Sequence, residues 1–83
     1  MHYHVMAATY VSEYVIRLTF RDGTVGEVDL EHELRGPVFE PLKDIEEFKK
    51  FHIDPEFHTI VWANGADLAP EFLYQAARVT AGP

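Results

Sequence analysis

Five histidines and fourteen carboxylates are the groups in this 83-residue chain whose types suit acid–base or metal chemistry. His2 and His4 stand two apart in an extended segment, so their rings share a side, a spacing that two metal ligands use. His32, His52 and His58 fall in separate elements, and no third ligand is set beside the pair. Structural or terminal histidines, with no metal and no cofactor, are therefore the expectation. Acid–base catalysis needs a proton acceptor beside a second polar group in a cleft. Asp67 is the best candidate, following Asn64-Gly65 and preceding a helix start. At that position a carboxylate more often caps helix N–H groups or ties down a turn. Ser12 is the only serine and has no histidine motif around it, which argues against a serine nucleophile. Without cysteine there is no thiolate, no disulfide and no thiolate metal site. The five glycines are scattered and build no phosphate-cradling loop. The chain is expected not to be an enzyme.

Binding is the better prospect. The acids cluster in Glu27, Asp29, Glu31 and Glu33 and again in Glu46 and Glu47, and the formal net charge is −7. A phosphate backbone repels such a surface, so direct nucleic-acid binding is not expected. An acidic face either keeps the protein soluble or meets a basic partner. Phe57 falls in a loop between strands, where aromatic area is hard to bury locally. With Glu27, Glu31 and Glu33 it forms the candidate partner surface. The first residues have no basic start and no long apolar run, and no segment reaches the ~20 apolar residues of a membrane span. A cytoplasmic protein with neither signal peptide nor membrane anchor is the expectation.

The positioning elements follow from periodicity. At 47% apolar residues the chain carries enough for one packed core over residues 1–83. Tyr14, Ile16, Leu18 and Phe20 alternate along one strand face, and Arg21-Asp22-Gly23 leads to a second run, Thr24–Leu30. A two-residue loop would set Leu18 against Glu27. A three-residue loop pairs Phe20 with Thr24, Leu18 with Gly26, Ile16 with Val28 and Tyr14 with Leu30, keeping like faces together. That register puts Gly23 at a left-handed position. Residues Tyr3 to Val11 form an earlier strand, with Ser12-Glu13 as its turn.

Beyond the meander, Asp29 caps a short helical turn through Leu34, closed by Gly36-Pro37. Val38 to Leu42 is expected to be extended, because a residue before proline avoids helix. Asp44 to Glu47 has the pattern of a capping box opening a short helix, Ile45 to about Lys50. In a second hairpin Asp54 pairs with Thr59, Ile53 with Ile60 and Phe51 with Trp62. Four large apolar side chains then share a face, and Trp62 becomes a core residue. A last helix runs from Pro70 to about Val79, with Phe72, Leu73, Ala76 and Val79 as its buried stripe.

The runs Gly36–Asp44 and Thr59–Glu71, with Phe48, Leu73 and Tyr74, resemble the bacterial domain-of-unknown-function 2442 family. The strand of Tyr14, Leu18 and Phe20, with Asp22-Gly23 and Asp29-Leu30, matches that family's front half. Trp62 to Pro70 is the most specific part, and Ala63 stands where proline is more usual. The resemblance implies a compact α+β domain with an antiparallel sheet: here a three-strand meander plus a second hairpin, packed with two short helices. It implies no activity. Some relatives are fused to a helix-turn-helix domain, and others sit beside a second small protein in a toxin–antitoxin-like pair. The residues up to Pro83 contain no helix-turn-helix, so a DNA role is expected to act through a partner.

Three readings remain at this point. The first is a non-catalytic protein-binding or regulatory module, the acidic member of such a pair, with a basic protein as partner. The second is a small-ligand or enzymatic pocket around Asn64, Asp67 and Tyr74. The third is a homodimer formed through an exposed strand edge.

Overall fold

The computed structural model describes residues 3–80, with side chains described through Ala77. His2, Gly82 and Pro83 lie outside the described residues, as does the side chain of Val79. Strands β1 (Val5–Ser12), β2 (Val15–Phe20) and β3 (Val25–Asp29) form an antiparallel meander in the order β1-β2-β3. The β2–β3 register is the three-residue-loop one: Ile16 faces Val28 and Leu18 faces Gly26. The Phe20 N–H donates to Thr24 O at 2.8 Å, and Gly23 sits at φ +92°, where a side chain would be strained. Asp22 fixes the turn by accepting from the Thr24 N–H at 2.9 Å.

At the β1–β2 connection the chain departs from expectation. Ser12 is the last residue of β1 and pairs with Val15, so Glu13 and Tyr14 make the turn, with Glu13 at φ +48°. Tyr14 leaves the strand, although its carbonyl still accepts from Leu30 N–H at 2.9 Å. Its ring packs edge-on against Phe48, and its hydroxyl donates to the Lys43 carbonyl. Two irregularities in the β1–β2 ladder, at Met6 and Val11, shift which β1 residues face inward. Val5, Ala8 and Tyr10 then meet Phe20, Leu18 and Ile16.

A 3-10 turn, Glu31–Glu33, follows, its first N–H held by the Asp29 carboxylate at 3.0 Å. The segment expected to be extended is helical instead. A short helix α1 (Gly36–Phe39) runs into a 3-10 turn, Glu40–Lys43, each with proline in its first turn. Glu40 keeps helical angles (φ −52°, ψ −45°) despite the proline after it. Tertiary packing outweighs the local preference: Leu42 is buried by this turn, and Asn64 Nδ2 donates to Val38 O at 2.8 Å. In α2 (Ile45–Phe48) Asp44 caps Glu46 N–H at 3.0 Å, but Glu47 reaches forward to Lys50 rather than back.

The second hairpin, β4 (His52–Ile53) and β5 (Ile60–Val61), has the expected register, with Ile53 against Ile60 and Asp54 N–H on Thr59 O. Trp62 is 3% exposed, packed among the rings of Phe39, Phe48 and Phe51, and its Nε1–H donates to Phe48 O at 2.9 Å. That bond satisfies the only polar atom the indole buries. Helix α3 (Pro70–Thr80) buries Leu73 and Ala77. The stripe is rotated from the expected one, since Phe72 is 36% exposed and Tyr74 turns inward against Phe20. Leu73 and Ala77 are one turn apart, so both point into the core they share with Ile16, Leu18, Val28 and Leu30.

Candidate functional site

The residues of the candidate ligand pocket are not brought together. Asn64 bridges its own turn to α1, accepting Ala66 N–H at 3.0 Å while it donates to Val38, and it lines a small groove with Pro41 and Trp62. Asp67 is exposed and pairs through its backbone with Val61. Among the described residues its carboxylate makes no cap on α3, so the turn-tying role falls to Asn64 instead. Tyr74 lies elsewhere, its hydroxyl on Asp22 Oδ2 at 2.5 Å and its ring against Tyr3 and Phe20. Each of the three polar groups faces a different neighbourhood.

The acids of the candidate partner surface divide likewise. Glu27 is paired with Arg17 at 2.8 Å on the outer face of the meander. Glu31 and Glu33 are exposed in the 3-10 turn after β3. Glu31, His32, Arg35, Lys43 and Tyr14 border an open groove of about 380 Å³. Phe57 belongs to neither group. It is 64% exposed and stands between two other grooves at the start of α3.

The loop carrying Phe57 is built residue by residue. The Asp54 carboxylate accepts from Glu56 N–H at 2.7 Å and from Phe57 N–H at 2.9 Å, and the His58 N–H closes onto Asp54 O at 2.8 Å. The Phe57 and Glu56 N–H bonds, with His52 and His58 nearby, hold the Asp54 carboxyl below its usual range. His58 then takes φ +57°, which reverses the chain into β5. Its carbonyl accepts Val5 N–H at 2.9 Å, and its ring stacks on His4 with centroids 4.1 Å apart. Burial, then the His58 ring, hold the half-buried His4 imidazole below its ordinary value. The local turn signal Asp54-Pro55 is legible in the sequence. The pairing with His4 and the nearness of Pro70 and Glu71 are long-range and leave no local signal.

Among the described residues no group of three or more His, Asp or Glu side chains converges as metal ligands would. No helix among them is long and apolar enough to cross a membrane.

A family model described as "Protein of unknown function (DUF2442)" matches residues 5–79. Among solved structures the chain is similar to "Putative DNA Binding Protein NE0471" from Nitrosomonas europaea ATCC 19718, with a TM-score of 0.80 and 29% identity. The likeness covers 94% of this chain and 50% of that one, so the chain spans half the length of this neighbour. No curated protein matches.

Proposed function

Since the chain belongs to the DUF2442 family of proteins of unknown function, we propose that it is a non-catalytic module that binds a basic protein. The observation that carries this reading is the disposition of its charge. Four of its seven Lys and Arg residues, Arg17, Lys43, Lys49 and Lys50, lie 2.8–3.3 Å from carboxylates. Carboxylates outnumber the cations two to one, so the outward field is negative, which attracts a basic partner and repels phosphate. Exposed Glu31 and Glu33, and Phe57 apart from them, are among the groups available to a partner.

The name of the Nitrosomonas neighbour raises direct DNA binding as a second reading. Against it stands the pairing of the cations here, and the neighbour has as much chain again outside the matched half. A homodimer is the third reading, favoured by β1, an outer strand of the meander with no charged residue along its eight positions.

The test is a tagged pull-down from the native host, followed by binding kinetics at two salt concentrations for wild type, Glu31→Lys and Phe57→Ala. A basic protein whose association slows with salt supports the module. Tighter binding to a random DNA duplex than to any protein overturns it, as does sedimentation as a stable dimer with no partner captured.

A further inference from the structure

Phe57 is the most exposed large apolar side chain among the described residues, and several contacts fix the loop that carries it. Its loop is closed by two N–H bonds to the Asp54 carboxylate, by His58 N–H on Asp54 O, and by the bond from β1 to His58 O. A ring on a slack loop could fold back on neighbouring apolar surface. Here those bonds fix the loop backbone with the ring 64% exposed, so a partner would meet a preorganised loop and lose less entropy on binding.

The surroundings define what such a partner looks like. On one side a cavity of about 280 Å³ lies between Phe57, Leu68 and Pro70, with Asp67 on its wall. On the other, about 190 Å³ lies between Phe57, Tyr3 and Pro70, with Glu71 on its wall. Pro70 and Phe57 line both, so the two cavities form one apolar saddle with the ring as its ridge. Exposed Glu56 adjoins the ridge in sequence. Among the described residues that line the two cavities none is Lys or Arg, and only His4 is basic. Apolar floors of this size accept aliphatic or aromatic side chains, while the carboxylates at the rim select for cations beside them.

We propose that the saddle across Phe57 and Pro70 is the docking surface for a peptide segment in which one or two apolar side chains are flanked by Lys or Arg. This rests on the protein-binding reading above and moves its contact surface from Glu27, Glu31 and Glu33 to Phe57, Asp67 and Glu71. A protein segment, rather than nucleic acid, is the occupant because carboxylates line the rim on both sides of an apolar ridge.

The experiment is an NMR titration of the whole chain with three synthetic peptides: Lys/Arg-flanked leucine, the same with Glu flanks, and the same with Lys/Arg around glycine. A DNA duplex serves as the fourth probe. Expected are saturable shifts confined to residues 54–58 and 67–71 for the first peptide alone. Phe57→Ser should weaken that binding at least tenfold, and Glu71→Lys should weaken it while steepening no other response. Both positions are exposed, and amide spectra of each variant confirm the fold. Equal binding of the glycine peptide, equal binding by Phe57→Ser, or shifts confined to residues 27–33 would overturn the site. The last outcome would leave the basic-partner reading standing. Binding of the duplex alone would overturn both.

Discussion

Tyr74 donates its hydroxyl to Asp22 Oδ2 at 2.5 Å, joining helix α3 to the β2–β3 turn across 52 residues of sequence. The same ring lies edge-on to Phe20, and its hydroxyl is 3.4 Å from Thr24 Oγ1. One residue on the last helix thus holds both the turn and the end of β2. Tyr74→Phe keeps the ring and removes the bond. It should cost about 1 kcal/mol, the usual net worth of one hydrogen bond, by urea unfolding followed by circular dichroism. In a double-mutant cycle with Asp22→Ala, the two losses should sum to more than the loss in the double variant.

Trp62 fills the seam between the second hairpin and α2. Trp62→Ala should cost ~3–5 kcal/mol, the range for a buried large aromatic, which is a large share of a small domain's stability. Trp62→Phe keeps much of the packing but strands the Phe48 carbonyl, and should cost about 1–3 kcal/mol. A Trp62→Ala variant within 1 kcal/mol of wild type in a denaturant melt would mean the indole is not core.

Gly23, at φ +92°, has no heavy atom within 4 Å of where a Cβ would sit. A substitution there meets backbone strain and no clash, so cost should follow residue type alone. Gly23→Asn should lose less than Gly23→Val, because asparagine tolerates left-handed angles and β-branched residues do not. Paired thermal melts decide it. Equal losses would argue that the turn has rearranged.

Stability should fall on mild acidification. The unfolded chain takes up a proton at His4 near the ordinary 6.5, while the folded chain resists it until lower pH. The unfolded state therefore binds more protons as pH drops through 6.5, and folding weakens. Asp54 acts in the same direction further down. Its carboxylate is favoured by the fold, and that contribution is lost as pH falls below the ordinary 3.8. Melting temperatures from pH 8 to pH 5 should decline, and His4→Phe, which keeps a ring against His58, should flatten the decline. A variant as pH-sensitive as wild type would place the effect elsewhere.

What was legible in the sequence follows the range of the forces. Both hairpin registers could be read because a one-residue slip moves every side chain to the other face. Trp62 could be placed because its register partner, Phe51, is itself apolar. The helical course of Gly36–Lys43 could not, since it depends on Leu42 reaching the core and on Asn64 arriving from 26 residues away. The rotation of the α3 stripe was hidden for a like reason: Phe72 and Tyr74 are both aromatic, and only the position of Asp22 selects Tyr74 to turn inward. The candidate site shows the same division. Phe57 stands out by its loop position, while Pro70 and Glu71 join it only through the fold.

The burial of Trp62 has a spectroscopic consequence. It is the chain's single tryptophan, and its indole N–H is bound to a backbone carbonyl away from water. Native emission should therefore be blue-shifted and dominated by one fluorophore, and unfolding should shift it to the red. Phe57 is not among its aromatic neighbours, so a ligand on the saddle should leave the emission unchanged. The protein thus carries a built-in gauge of its folding that is blind to occupancy of the proposed docking surface.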